Sequence, residues 1–238
     1  MMQAPQSPSR GTRRPTTPWR ALAAVCALVM AALPVQASAL SLVRDAEIER
    51  TLARMSAPVF QAAGLRPESV EIYIVNDDSL NAFVAGGRNL FLHTGLLSEL
   101  DTPEEVIGVI AHEAGHIAGG HIARRRIKMR NAQGPALLGI LAGVAVGALG
   151  GGDAGAAVAL GSQTALTRDL LRHSRGEEAS ADQAAVRYLE RAGVDPEGLL
   201  RVLERFRGQE VLSLGNQDPY VLTHPLSTRR LQLLEEQV

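Results

Sequence analysis

The feature that most constrains this sequence is the run His112-Glu113-Ala114-Gly115-His116, which has the pattern H-E-x-x-H. On an α-helix, residues four apart lie about 40° apart around the axis and about 6 Å apart along it. The imidazoles of His112 and His116 can therefore bind one metal ion. Glu113 projects to the flank of this pair, where it can take a proton from a water molecule. The pattern predicts two zinc ligands and a general base on one helical turn.

Two histidines and a glutamate also occur by chance on ordinary amphipathic helices, so the residues around the pattern matter. Thr102-Pro103-Glu104-Glu105 is a capping box with proline at the first helical position, and it predicts a helix that begins there. The run Val106 to Ile110 indicates that this helix is buried on nearly all sides. Histidines at the end of a buried helix need a polar partner, and a metal ion supplies one.

The first 39 residues predict an export signal. Four arginines and no acidic residue accompany an apolar segment from Ala21 to Val35, and Ala37-Ser38-Ala39 has the A-x-A pattern of a cleavage site. The alternative is an N-terminal membrane anchor, for which the apolar segment is short, since a span needs about 20 residues. We expect a signal peptide over residues 1–39 and one domain, which carries the H-E-x-x-H motif, over residues 40–238.

Composition argues against two classes of site. Without the four arginines of the signal, 20 of the 24 basic residues remain against 25 acidic ones, and this balance does not favour nucleic-acid binding. The only cysteine, Cys26, lies inside the predicted signal. Cysteine ligation of a metal is therefore excluded for the mature chain.

Upstream of the H-E-x-x-H motif, the sequence predicts a helix, a strand and a hairpin. Apolar residues at helical spacing indicate a helix over residues 43–63, and residues 70–75 alternate as strands do. Residues 81–97 predict two extended pieces joined at Gly86-Gly87. This hairpin either only contributes side chains to the core or forms a sheet edge beside the helix that carries the metal ligands. An extended peptide can add to such an edge as a further strand.

Residues 131–167 form an insert rich in Gly, Ala, Leu and Val, with Asp153 as its charged residue. The insert follows a basic cluster, Arg124-Arg125-Arg126 and Lys128. Its glycines weaken the case for a transmembrane span. We expect a helical hairpin that packs over the active site or rests on a membrane surface, with residues 124–167 making the peripheral contact.

Two histidines leave zinc under-coordinated, so another segment must supply a ligand. Glu178 and Asp182 lie four residues apart on one face of a helix predicted from Glu177 to Arg191. We assign Glu178 as the third ligand, and Asp182 as the acceptor for the free N–H of a ligating histidine. The alternative is a solvated acidic first turn, which suits Glu177 better than Glu178.

The spacing of the histidines does not fit a zinc site with three histidine ligands. The pattern H-E-x-x-H-x-x-G-x-x-H places its third histidine at residue 122, which is Ile122. His121 misses by one residue, a rotation of about 100° on a helix. Further on, Gly193 is expected to end one helix, and Asp195-Pro196 to begin another that runs to about Arg207.

Four separated motifs, in this order, resemble those of the zinc metallopeptidase family that includes the CAAX prenyl proteases, HtpX and BepA. They are Asn81-Ala82-Phe83 with Gly86-Gly87, His112-Glu113-x-x-His116, Ser174-Arg175-x-x-Glu178-x-x-Ala181-Asp182, and His224-Pro225-x-x-x-x-Arg230. The resemblance covers about residues 45–235. It implies an α+β, zincin-like (gluzincin) metallopeptidase domain, mainly helical, with a small sheet beside the H-E-x-x-H helix.

The resemblance also implies roles for individual residues. Glu178 matches the family's third zinc ligand, beside His112 and His116, and His224 and Arg230 match residues at its active site. The predicted signal and the Gly/Ala-rich insert look most like the periplasmic BepA-like branch, which implies a periplasmic location and polypeptide substrates such as misassembled outer-membrane proteins. That branch also carries a C-terminal tetratricopeptide domain. This sequence has no room for one, so the resemblance does not extend to substrate delivery by such repeats.

Together these features predict a secreted or periplasmic metalloendopeptidase with one zinc ion, acting in envelope protein quality control. Glu113 is expected to move the proton from water to the leaving nitrogen, and His224 or Arg230 to stabilise the oxyanion. Alternatively, His224 occupies the open position of the metal and keeps the enzyme latent. Two rival functions stay open: a chaperone or assembly factor whose zinc holds the fold, and a membrane-associated protease.

Overall fold

The structure is a computed structural model that describes residues 41–148, 152–208, 212, 217 and 219–238. The predicted export signal lies outside these residues. Within them, the strands are β1 (Leu42–Val43), β2 (Glu71–Val75), β3 (Ala82–Ala85) and β4 (Asn89–His93). The helices are α1 (Ala46–Ala62), α2 (Thr94–Glu99), α3 (Pro103–Ala118), α4 (His121–Ala148), α5 (Gly152–Ala192), α6 (Glu197–Arg205), α7 (Pro219–Thr223) and α8 (Thr228–Glu235), with a 3-10 turn at Pro67–Ser69.

The strands form one mixed sheet in the order β1-β2-β4-β3. β2 and β4 are parallel, whereas β1 pairs with β2 and β3 pairs with β4 in antiparallel fashion. Opposed aromatic rings from three neighbouring strands stack on one face, with centroids of Phe83 and Phe91 4.9 Å apart and those of Tyr73 and Phe91 5.1 Å apart. The order leaves β3 paired on one side only among the described strands.

The predicted strand over residues 70–75 is confirmed as β2, and the predicted hairpin as β3 and β4. Gly86 and Gly87 take left-handed φ values of 61° and 100°, as a tight hairpin turn requires. The hairpin was predicted to stay extended to Leu97, which is wrong, because α2 begins at Thr94. The Thr94 hydroxyl donates to the Asp77 carbonyl at 2.9 Å and so ties the chain to the loop that follows β2.

The helix predicted over residues 43–63 is confirmed from Ala46 to Ala62, but Val43 lies in β1 rather than in the helix. The reason is local: the Asp45 carboxylate accepts from the backbone N–H groups of Glu47 and Ile48, and this cap starts the helix at residue 46. The short segment before the cap is then free to pair with β2.

Helix α3 carries the H-E-x-x-H motif and lies at the centre of the fold. Its predicted start is confirmed, since the Thr102 hydroxyl accepts from the Glu105 N–H at 3.3 Å. The Glu105 carboxylate reaches back to the N–H of Asp101, at 3.0 Å, one residue before the position a standard capping box uses. α3 packs against α1, α5, α6 and β3, which explains why its residues from Gly108 to His116 are all buried.

The Gly/Ala-rich insert is a helical hairpin, as predicted, formed by α4 and α5 packed against each other. Its helices extend well beyond residues 131–167. The helix predicted to begin at Glu177 instead begins at Gly152, because no proline or helix-ending glycine separates the insert from residue 177. Among the described residues, none of the helices combines the length and hydropathy needed to cross a membrane.

The predicted helix end at Gly193 is confirmed by its left-handed φ of 70°. The next helix, predicted from residue 195 to about residue 207, spans Glu197 to Arg205. The observed fold is thus mostly helical with a small mixed sheet, and this arrangement is compatible with a zincin-like peptidase.

Candidate metal centre

Four buried side chains from three parts of the chain converge on one point. His112 and His116 come from α3, Glu178 from α5, and His224 from the segment between α7 and α8. The Nε2 atoms of His112 and His116 are 3.1 Å apart. Glu178 Oε2 lies 3.2 Å from His112 Nε2, and Glu178 Oε1 lies 3.4 Å from His116 Nε2. His224 Nδ1 lies 3.1 Å from Glu178 Oε2 and 3.3 Å from His112 Nε2.

These separations fit a tetrahedral metal site. When a zinc–nitrogen bond is about 2.0–2.1 Å, neighbouring ligands of a tetrahedral ion are about 3.3 Å apart. The measured distances between the four side chains, from 3.1 to 3.4 Å, cluster around this value. One metal ion placed between these side chains would accept the lone pairs of all four. The donor set therefore fits a metal ion, and its nitrogen and oxygen atoms suit zinc.

His112 lies between two carboxylates. Its Nδ1 atom is 2.9 Å from Asp182 Oδ1, on the side of the ring opposite Glu178. Burial lowers the pKa of His112, but the hydrogen bonds to Asp182 and Glu178 outweigh burial and raise it to about 10. The local field therefore strongly favours a positive charge on or beside this ring.

Asp182 is held in turn by Arg230, a fully buried arginine of α8. The Arg230 Nε and Nη2 atoms donate to the two Asp182 oxygens at 2.7 and 2.8 Å, a bidentate pair. Burial alone would raise the pKa of Asp182, but the charge and hydrogen bonds of Arg230 lower it to about 2. Asp182 therefore stays ionised and can only accept from His112.

The same field acts on Glu178. Burial would raise its pKa, yet the neighbouring His224, His112 and His116 hold it well below its usual range. Glu178 is fully buried and its carboxylate is anionic, as a metal ligand must be.

Glu113 lies beside the four converging groups with its carboxylate buried. Its Oε1 atom is 3.2 Å from His224 Nε2, but among the described residues neither of its oxygens accepts a well-aligned hydrogen bond. The residue lines a cavity of about 160 Å³ together with His116, Glu178 and His224. Such a carboxylate has free lone pairs that face a space large enough for several water molecules.

His224 is held by backbone contacts on both sides of the site. Its Nε2 atom lies 3.1 Å from the Ala82 carbonyl at the start of β3. Arg230 Nη1 donates to the carbonyls of Pro225 at 3.0 Å and of His224 at 3.3 Å. Arg230 thus contacts Asp182 and the His224-Pro225 backbone, and its Nη1 atom also lies 3.4 Å from Glu178 Oε2, so it borders the converging side chains without being one of the residues that line the cavity.

One residue of the site, His121, was missed by sequence reasoning, which tested it only as a third ligand. His121 is buried, and its Nδ1 atom lies 2.9 Å from His116 Nδ1. Burial, followed by the charges of His116 and Arg124, lowers the pKa of His121 to about 4, so the ring is neutral near neutral pH. The signal that could have revealed it is Gly119-Gly120, a pair that breaks the helix directly before this histidine.

Comparison with known proteins places the chain among metallopeptidases. A family model described as Peptidase family M48 matches residues 43–238. The beta-barrel assembly-enhancing protease of Yersinia pestis is 29% identical over 159 residues, which are 67% of this chain and 32% of that protein. Metalloprotease LoiP of Escherichia coli (strain K12) is 28% identical over 173 residues, or 73% of this chain and 64% of LoiP. The chain therefore spans about a third of the length of the first of these relatives.

Proposed function

The chain belongs to peptidase family M48, and we propose that it is a zinc metalloendopeptidase that cleaves polypeptides. One observation carries this proposal: Glu113, a buried carboxylate with free lone pairs, lines the same cavity as His116 and Glu178, two of the side chains that converge with His112. A purely structural zinc site has no use for a base beside it. A hydrolytic site requires one.

In the proposed site, His112 and His116 through Nε2, and Glu178 through its carboxylate, hold one zinc ion. When bound, zinc acidifies a water molecule and polarises the carbonyl of the scissile peptide bond. Glu113 takes the proton of the attacking water and returns it to the leaving nitrogen. Asp182 accepts from His112 Nδ1 and so keeps Nε2 free of a proton, and Arg230 keeps Asp182 ionised. We therefore assign Arg230 to positioning rather than to the oxyanion.

His224 has two candidate roles, and each role uses a different nitrogen atom of its ring. Its Nδ1 atom lies at tetrahedral distance from His112 and Glu178, as expected for a fourth ligand that keeps the enzyme latent. Its Nε2 atom lies near Glu113 and the Ala82 carbonyl, facing the cavity, as expected for a donor to an oxyanion. The close approach of Nδ1 favours latency in the described conformation.

We propose that the substrate is bound as an extended chain along β3. Among the described strands, β3 is paired only with β4, so its outer edge offers backbone groups to a further strand. Phe83 and Val84 of this strand line the same cavity as Glu113 and His116. A peptide added there runs past the proposed metal centre.

The biological setting is proposed from the sequence and the relatives. We propose that an export signal over residues 1–39 leads to the periplasm, and the name of the Yersinia pestis relative, beta-barrel assembly-enhancing protease, suggests a role in envelope protein quality control, with misassembled outer-membrane proteins as substrates. We propose a peripheral membrane contact through residues 124–167. Arg124, Arg125 and Arg126 are exposed there, beside exposed apolar side chains, namely Ile127, Met129, Leu138 and Leu141.

Digestion of unfolded casein by the purified zinc-loaded protein tests the proposed activity. Glu113→Gln, which keeps the shape of the side chain but removes the base, should abolish cleavage, as should a chelator. Glu104→Gln makes the same chemical change in the first turn of α3 and should cleave at the wild-type rate. Cleavage that persists both with the chelator and in Glu113→Gln would contradict the proposed zinc-dependent mechanism.

The same preparation separates the rival functions. If the wild-type protein cleaves nothing, and both it and Glu113→Gln suppress the aggregation of unfolded outer-membrane proteins equally, the chain is a chaperone whose zinc holds the fold. A protein that needs detergent to stay in solution instead supports the membrane-associated protease.

A further inference from the structure

His121 reaches the proposed metal centre because the helix breaks directly before it. α3 ends at Ala118, Gly119 caps it, and Gly120 has a left-handed φ of 65°. Had α3 continued, residue 121 would lie about 140° around the axis from His116, on the far side of the helix. The break instead brings the two rings together, with centroids 4.9 Å apart and planes 81° apart.

The position of the His121 ring is restricted by its burial and by the backbone of Gly119. Its exposed fraction is 3%, and a Cβ atom at residue 119 would lie 2.5 Å from His121 Nε2. Gly119 therefore has to lack a side chain for the ring to occupy this place. The edge of the ring that carries Nδ1 is thereby directed at His116.

The contact between the two rings determines where their protons lie. His116 Nε2 faces the donor cluster, 3.1 Å from His112 Nε2 and 3.4 Å from Glu178 Oε1. A nitrogen that binds a metal uses its lone pair, so the proton of a neutral His116 lies on Nδ1. His121 Nδ1, at 2.9 Å, must then accept this proton's hydrogen bond, and its own proton lies on Nε2.

We propose that His121 is a positioning residue for zinc, which accepts the hydrogen bond of His116 Nδ1 and so fixes the tautomer and the orientation of this ligand. This inference rests on the proposed metal centre. The two ligating histidines then differ in their outer partners: Asp182, a carboxylate, for His112, and His121, a neutral imidazole, for His116. A carboxylate makes its partner imidazole more basic than a neutral acceptor does, so the two histidines donate unequally to the metal.

Zinc affinity of the full-length protein, measured by competition with a chelator of known affinity, tests this role without any peptidase assay. His121→Leu keeps the bulk of the ring but offers no acceptor, and it should weaken zinc binding by about 10- to 100-fold. His121→Asn places an amide oxygen near the position of Nδ1 and should recover most of that loss. His93→Leu, the same change at a buried histidine on β4, should leave the affinity unchanged.

Two outcomes of the affinity measurement overturn the proposal: a wild-type affinity in His121→Leu, or an equal loss in His121→Leu and His121→Asn. If His121→Leu does not fold, imidazole nitrogen NMR of the zinc-loaded wild type decides instead. The expected spectrum has a proton on His116 Nδ1 and on His121 Nε2. A proton on His121 Nδ1 contradicts the proposal.

These measurements also separate the failure of this inference from the failure of the proposed function. A wild-type protein that binds zinc but cleaves no polypeptide contradicts the endopeptidase while His121→Leu still reports on positioning. A wild-type protein that binds no zinc contradicts both. Zinc binding and cleavage that are unaltered in His121→Leu contradict only the role of His121.

Discussion

Gly115 of α3 lies so close to Ala181 of α5 that a Cβ atom at residue 115 would sit 2.9 Å from the Ala181 carbonyl oxygen. Gly115 precedes His116 directly, and Ala181 stands between Glu178 and Asp182 on its own helix. The close approach of the two backbones therefore sets the distance between the histidines and the carboxylates. Small residues on both helices make this distance short enough for one metal ion.

Gly115→Ala should weaken zinc binding. The added methyl group meets backbone rather than a flexible side chain, so α3 and α5 must separate and draw Glu178 away from His112 and His116. We expect a loss of stability of about 1–3 kcal/mol in urea unfolding, together with weaker zinc binding in chelator competition. Gly176→Ala is the control, since a Cβ atom there meets no heavy atom within 4 Å. Equal zinc affinities in the two variants would contradict the assigned role of this contact.

Removing the metal should destabilise the protein. The four converging side chains lie 3.1 to 3.4 Å apart in a buried site, and a bound metal ion would accept their lone pairs only in the folded protein. At a free zinc concentration of 100 times Kd, binding adds about 2.7 kcal/mol to the free energy of unfolding. For a chain of this length this corresponds to a rise in Tm of about 5–10 °C, measurable by calorimetry. In His112→Ala, added zinc should leave Tm almost unchanged, and a full shift there would place the metal elsewhere.

Arg230→Ala should strongly destabilise the fold. Arg230 is 2% exposed and forms the bidentate pair with Asp182, so its loss leaves a buried carboxylate without its partner. Removing one member of a buried ion pair costs about 3–5 kcal/mol, measurable by urea unfolding. Arg229→Ala, at the exposed neighbouring residue, should change stability by less than about 0.5 kcal/mol. A cost below about 1 kcal/mol for Arg230→Ala would show that Asp182 does not depend on this pair.

His224→Ala should raise peptidase activity if His224 keeps the enzyme latent. In that state only the fraction of molecules whose His224 has left the cluster binds substrate, so an open fraction of one tenth lowers the apparent affinity about tenfold. The variant should recover this factor in kcat/KM on a quenched fluorescent peptide. Leu222→Ala, a change at an exposed residue of the preceding helix α7, should have no effect. A fall in activity for His224→Ala would instead support the oxyanion role.

Replacing exposed arginines at the base of the helical hairpin should weaken binding to anionic membranes. Each basic residue near an anionic surface contributes about 1 kcal/mol, so the triple variant Arg124→Gln, Arg126→Gln and Arg130→Gln should bind phosphatidylserine-containing vesicles about a hundredfold more weakly. Cosedimentation at low and at high salt measures the effect.

The matched control for the vesicle experiment removes three exposed arginines from elsewhere in the chain, namely Arg50, Arg54 and Arg66. It changes the net charge equally. Equal weakening in both triple variants would mean that total charge, rather than the hairpin, accounts for binding. Binding to uncharged phosphatidylcholine vesicles that matches the binding to anionic ones would also contradict an electrostatic contact.

Local features were well predicted from the sequence because they depend on neighbouring residues. The cap at Thr102, the hairpin turn at Gly86-Gly87 and the helix end at Gly193 each follow from the hydrogen bonds or φ angles of a few adjacent residues. Two of the wrong boundaries, at Thr94 and at Glu177, have a different cause. Thr94 is tied to Asp77, 17 residues earlier, and Glu177 lies in a helix whose start is set within the hairpin.

The sequence by itself determined that His112, Glu113 and His116 share one turn of a buried helix, because the period of the α-helix and the cap at its start are local properties. It also singled out Glu178 and Asp182 as neighbours on one face of a second helix. Only the tertiary structure decided which nitrogen faces which partner. Asp182 meets Arg230 across 48 residues, and His112 meets His224 across 112. The approach of His121 to His116 depends on a backbone turn at Gly120, a geometry that helical periodicity does not contain.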